Sequence, residues 1–188
     1  MALRLEVAEL TLASLDAAGA DAVALFVGPE RPLQGLPGLV DWRLAGALSR
    51  ALRAGTYGGG AGEQLLVPTQ GRLGAPRVFC FGVAEPPGDE AAYRAVAYRA
   101  LDALLRAGSR SQITSLPPFG PGLAREQAAR LWLEAALRFA TERQVIFGEA
   151  AALRRELAAA RGELSAEVEL APLAPRPRSL PGAAAVVR

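Results

Sequence analysis

Histidine, lysine and asparagine are absent from the 188 residues, and cysteine and methionine occur once each. The 21 basic side chains are therefore all arginine. Without histidine there is no Ser-His-Asp or Cys-His nucleophile pair, no imidazole metal ligand, and no group that titrates near neutrality at its ordinary pKa. Without lysine there is no Schiff base and no Walker lysine for a nucleoside triphosphate. Enzymes that work through carboxylates survive this filter, but few others do. A lone Cys80 cannot close an internal disulfide. The opening run, Met1-Ala2-Leu3-Arg4-Leu5-Glu6-Val7, lacks the basic region and apolar stretch of a signal peptide, and no apolar run approaches the roughly 20 residues that span a bilayer. These absences predict a cytoplasmic, reducing location without membrane contact. The missing residue types have A/T-rich codons, as expected of a high-GC bacterial genome.

What is present is the balance of a globular chain. Hydrophobic residues make up 51% and charged residues 21%, enough apolar surface for a buried core in one domain. A net charge of +2 predicts no nucleic-acid affinity by itself. The arginines are interspersed with acids, and only Arg154-Arg155 and the Arg176/Arg178 pair form local concentrations. Nucleic acid is not an expected partner.

Two hydrophobic periods alternate along the chain. Leu3, Leu5 and Val7 alternate with Arg4 and Glu6, the pattern of a strand with one wet face at or near a sheet edge. Ala22 to Val27 is continuously apolar and reads as a central strand covered on both faces. Asp41 is placed to cap a single helix carrying Leu44, Leu48 and Leu52 and ending near Gly55. Short strands are predicted at Gln64–Val67, Val78–Val83, Gln112–Leu116, Val145–Phe147 and Ser165–Leu170. Between them, Tyr93, Val96, Ala97, Ala100, Leu101 and Leu104 form one helical stripe. Ala128, Leu131, Ala135 and Phe139 form a second, with Glu126/Arg130 and Glu134/Arg138 as i,i+4 pairs on its outer face. A third helix carries Leu153 and Leu157. Strands alternating with helices of this length impose a mainly parallel sheet between helical layers, a three-layer α/β/α sandwich. This unit is expected over 1–170. Pro175, Pro177 and Pro181 predict an extended arm over 171–188.

Ala20-Asp21, the Tyr57-Gly58-Gly59-Gly60-Ala61-Gly62-Glu63 segment, Val78 to Val83, Tyr93/Arg94, Ile113 to Pro117 and Arg138-Phe139 follow one another in a characteristic order. Over about residues 3 to 160 this order resembles the N-terminal domain of leucyl aminopeptidases of peptidase family M17. The resemblance implies a macro-domain-like fold with a mixed sheet. It also implies what is missing, because the two-metal site of that family belongs to a separate C-terminal domain that needs a lysine and an Asn-Thr-Asp-Ala-Glu-Gly-Arg motif. No catalytic or metal residue carries over, no cofactor is expected, and the chain is not expected to be an enzyme.

Two readings of function follow. The leading one is a non-catalytic protein-interaction or oligomerisation module, since in the resembled enzymes this domain contributes to assembly. The alternative is a macro-like binder of ADP-ribose or another nucleotide. Its candidate residues are Gly58, Gly59, Gly60 and Gly62, whose backbone amides would cradle phosphates, and Asp21, which would contact adenine. Against it, Leu25-Phe26-Val27-Gly28-Pro29 stands where macro domains carry an asparagine-containing segment. Three further features read as structural. Cys80 is expected in the core, Glu85, Asp89 and Glu90 read as a solvent loop capping the next helix, and Trp42 and Trp132 are expected inside.

Overall fold

The computed structural model describes residues 2–174. Within them the elements run β1 (Leu3–Glu9), α1 (Leu12–Ala17), β2 (Ala22–Val27), α2 (Gly35–Arg43), α3 (Ala47–Arg53), β3 (Gln64–Pro68), β4 (Arg77–Gly82) and α4 (Glu90–Arg106). They continue as β5 (Ser111–Ser115), α5 (Arg125–Arg138), β6 (Arg143–Gly148), α6 (Ala150–Glu163) and β7 (Val168–Pro172). The strands form one sheet in the order β3-β4-β2-β5-β6-β1-β7. Every neighbouring pair is parallel except β3 and β4.

Why the sheet is covered on both faces can be read from β2. All six of its residues are buried. Ala22, Ala24 and Phe26 point into the core shared with α4, α5 and α6, while Val23, Leu25 and Val27 point into the core shared with α1, α2 and α3. Alternation with apolar residues on both sides is what a central strand of a three-layer sandwich requires. The expected α/β fold with a mixed, mostly parallel sheet is thus the observed one. Among the described residues no helix is long and apolar enough to cross a membrane.

Trp132 anchors the larger core. Its ring meets Phe26 edge-on at 5.8 Å, and its indole N–H donates to Gln144 Oε1 at 2.9 Å. Gln144 in turn donates to Gln112 Oε1 at 3.3 Å, and Gln112 to the Ser109 carbonyl at 3.2 Å. The indole and the two side-chain amides of this relay are thus each hydrogen-bonded, which is the condition for placing amides in a core.

Several local expectations need correction. Glu6 does not face solvent. It is buried, and its carboxylate pairs with Arg143 on β6 at 2.7 Å and with Arg4 at 2.9 Å. Arg143 of the neighbouring strand β6 reaches across to this carboxylate and also donates to the Gly19 carbonyl, so the ion pair closes over this face of β1. The single helix expected after Asp41 is two helices. Asp41 sits inside α2 and accepts from Leu48 N–H at 2.8 Å and Ser49 N–H at 3.1 Å, capping α3 across the turn at Gly46. Trp42 is 72% exposed and not in the core.

The expected i,i+4 pairs on α5 are also replaced. Arg130 bonds Glu90 of α4 at 2.9 Å, Glu134 lies 3.7 Å from Arg94 of α4, and Arg138 lies over the Tyr98 ring. Packing of α4 beside α5 gives these charges closer partners than their own helix does. The helix α1, capped by Thr11, was not expected. Finally, β7 continues through Ala171 and Pro172, past the expected boundary at 170, while 175–188 of the expected arm lie outside the described residues.

Candidate functional site

Neighbouring strands β2 and β5 send the chain to opposite faces, β2 toward α2 and β5 toward α5. Such a divergence opens a crevice at the carboxyl ends of the strands, where open α/β sheets place their ligands. Here the crevice is a cleft of about 290 Å³, walled by the segment after β2, the segment after β4 and the start of the β5–α5 loop. Its lining is apolar at Phe26, Leu36 and Leu116, with Glu30, Gln34 and Ser115 as polar side chains. None of the lining residues is basic. Arg31, beside it, is folded back and donates to the carbonyls of Gly28 at 3.0 Å and Glu30 at 2.7 Å.

The glycine loop lies against the same end of the sheet. Gly59 has φ +77°, and a Cβ there would come within 3.0 Å of the Val27 carbonyl oxygen and 2.9 Å of the Gly28 carbonyl oxygen. A side chain at Gly82 would meet the Gly60 carbonyl oxygen at 1.9 Å. The loop is therefore pressed onto the ends of β2 and β4, and glycine is required on both sides of the contact.

The amides of this loop already hold an anion. Glu63 turns back so that Oε2 accepts from Gly58 N–H at 2.8 Å and from Gly60 N–H at 3.1 Å. Its own N–H donates to the Gly60 carbonyl at 3.0 Å, closing the turn. Hydrogen bonds from Gly58 and Gly60 hold the Glu63 carboxyl below the usual glutamate range. Successive amides turned toward one point make an anion-binding nest. In this chain the nest is filled from within.

Asp21 is placed elsewhere. It stands at the amino end of β2, while Gly59 packs on the carboxyl end, and the six intervening residues of β2 span roughly 20 Å. Its carboxylate accepts from Ser111 N–H at 2.9 Å and Arg110 N–H at 3.0 Å, tying β2 to the start of β5. Burial alone raises the Asp21 pKa, but those amide hydrogen bonds outweigh it, and the carboxyl lies below the usual aspartate range. The stability it contributes is therefore present above the ordinary aspartate pKa and is lost as pH falls through the lowered value. Gly58, Gly59, Gly60 and Gly62 are brought together in one loop, and Asp21 does not join them.

The remaining candidates have structural roles. Asp89 caps α4 by accepting from Ala92 N–H at 2.8 Å, and Glu90 pairs with Arg130. Cys80 is buried on β4, and burial, with the Asp41 charge second, pushes its thiol up to about 12. Among the described residues no three carboxylate or thiol side chains group so as to hold a metal ion. The residue that sequence reading overlooked is Glu63. Its signal was present, an acid directly after a run of glycines, but its return onto the run depends on the turn at Gly60.

No protein-family model matches the chain, and no curated protein matches it by sequence. Solved structures do match. The Trypanosoma brucei macrodomain in complex with ADP superposes with TM-score 0.65 at 17% identity, covering 84% of this chain and 68% of that one. The Oceanobacillus iheyensis macrodomain with MES bound gives 0.63 at 14% identity, covering 86% and 92%. A mutant tomato leucine aminopeptidase gives 0.55 at 14% identity over 85% of this chain. This chain spans only 35% of that aminopeptidase. The likeness defines the class of fold, a macro-domain-like α/β sandwich.

Proposed function

We infer that this chain is a non-catalytic macro-like module that works through protein contacts, a relative of the leucyl aminopeptidase N-terminal domain. The observation that carries this reading is the glycine loop filled by Glu63, which removes the phosphate-binding amides from use. A phosphate entering the nest would have to displace a carboxylate held by two charge-assisted hydrogen bonds. The cleft beside it offers Glu30 and no basic lining residue, an unfavourable field for an anionic ligand. Protein contact is supported by Trp42, which stands 72% exposed on α2 beside Gly38, Ala45 and Gly46. A large aromatic on a rigid element beside small residues is the usual form of an interface anchor.

The alternative, a nucleotide binder, is favoured by the position of the cleft at the strand ends and by the likeness to a macrodomain in complex with ADP. Thermal unfolding with millimolar ADP-ribose, ADP and inorganic phosphate separates the two. We expect an unchanged melting temperature with each. A ligand present at 100 times its Kd stabilises by about 2.7 kcal/mol, which raises the melting temperature of a chain this size by roughly 5 to 10 °C. A shift of that size with ADP-ribose, lost in Gly59→Val, would establish the alternative. Metal-dependent hydrolysis of an aminoacyl amide by pure protein would overturn the non-catalytic reading.

A further inference from the structure

The open edge of β3 has the properties of a pairing surface. On one side β3 bonds β4 in antiparallel register, with Leu66 opposite Phe79. Glu63 accepts from Gly82 N–H at 2.8 Å and Thr69 donates to the Pro76 carbonyl at 3.0 Å, both in that register. Backbone direction alternates along an antiparallel strand, so Leu65 and Val67 also face β4. Gln64, Leu66 and Pro68 therefore aim their backbone groups at the far side, where no strand lies among the described residues. Leu66 is also a 56% exposed apolar side chain.

Edge strands are ordinarily guarded by charge, proline or a covering element. At the other end of the sheet β7 carries Glu169 and ends in Pro172. By contrast, the five residues Gln64-Leu65-Leu66-Val67-Pro68 hold no charge, and the proline comes last. Charges lie only beyond the strand, Glu63 before it and Arg72 after it. An antiparallel pairing of two such strands sets the Glu63 end of each copy beside the Arg72 end of the other, so the termini are complementary.

We propose that β3 is a homodimerisation edge, occupied by β3 of a second copy in antiparallel register about a two-fold axis at Leu66. The proposal rests on the protein-contact reading above and names its partner and surface. Leu66 of each copy donates its N–H to the Leu66 carbonyl of the other, and Gln64 N–H donates to the Pro68 carbonyl of the other. Pro68 has no N–H, so the Gln64 carbonyl opposite it stays open to solvent and the pairing rests on four cross-strand hydrogen bonds. The two Leu66 side chains meet on one face, covering the apolar surface each exposes. A self-complementary patch is what a two-fold interface requires. A five-residue edge buries little area, so the dimer is weak and depends on concentration.

Sedimentation velocity of the full chain, from about 10 micromolar to about 1 millimolar, tests this. The wild type is expected to pass from monomer to dimer across the series. Leu66→Pro removes the central outward N–H without touching the β4 ladder, and Leu66→Lys sets two like charges face to face. Each is expected to weaken dimerisation at least about tenfold, a loss of 1.4 kcal/mol or more. Leu66→Lys keeps the test valid should proline loosen β3, and Leu137→Ser, which removes an exposed apolar side chain on α5, is expected to leave the dimer intact. Under mild oxidation Leu66→Cys is expected to give a linked dimer faster than Gln64→Cys, since Cys80 is buried. A monomeric wild type throughout the series, a dimer that Leu66→Lys retains, or faster linkage through position 64 overturns the proposal. A dimer retained by Leu66→Lys leaves the protein-contact reading standing on another surface, whereas ADP-ribose stabilisation removes that reading whatever the edge does.

Discussion

Trp132→Ala is expected to lower the unfolding free energy by about 4 kcal/mol, seen as a drop of roughly 10 °C in melting temperature. Truncating a fully buried tryptophan loses apolar burial and leaves a cavity between β2 and α5. It also orphans Gln144 Oε1, the acceptor of the indole N–H, inside the core. Trp132→Phe separates the two effects, because it keeps most of the volume and loses the donor. We expect it to cost about 1 to 3 kcal/mol, the desolvation cost of an unpaired buried acceptor. Chemical denaturation of the three proteins measures this series. A loss below about 1 kcal/mol for Trp132→Ala would mean that this core is not built around the indole.

Gly82→Ala is the second large effect and acts on the candidate site. The added methyl would stand 1.9 Å from the Gly60 carbonyl oxygen and 2.9 Å from the backbone carbons of Gly59 and Gly60. Those atoms are backbone, so the loop as a whole must lift. The expected cost is about 2 to 3 kcal/mol, the upper range for overpacking. Lifting the loop also pulls Gly58 and Gly60 from Glu63, so their amides are expected to exchange with solvent faster than in the wild type. Gly88, where a Cβ meets nothing within 4 Å, is the control, and Gly88→Ala should change stability by about 0.5 kcal/mol or less.

How much of this was legible in the sequence depends on how local each signal was. The two-residue period at Leu3, Leu5 and Val7 and the helical stripe from Tyr93 to Leu104 depend on chain-local geometry, and both elements stand where they were expected. Placement across the sheet did not reduce to period. Glu6 looked solvent-facing because its neighbours alternate, yet Arg143, far away in sequence on β6, closes over it as an ion pair. Asp41 looked like the start of a helix and is a cap, but for the next helix, reached through a turn at Gly46 that no hydrophobic pattern marks. Trp42 departs from expectation because α2 turns it outward beside small residues.

The candidate site was legible as composition and not as geometry. The glycines at 58, 59, 60 and 62 stand out in the chain, and they do form one loop at the carboxyl end of the sheet. That Asp21 belongs to the opposite end of β2 follows only from strand direction. That the nest is occupied follows only from the path of Glu63 back over Gly60.

Amide NMR of the glycine loop during addition of ADP-ribose and, separately, during acidification tests the central claim most directly. Glu63 is predicted to own these amides. The Gly58 and Gly60 signals should stay fixed as ADP-ribose rises to the millimolar range. On acidification they should move together, with a midpoint below the ordinary glutamate pKa of about 4.3. Signals that move saturably with ADP-ribose and ignore the protonation of Glu63 would contradict the account and make the loop a nucleotide site.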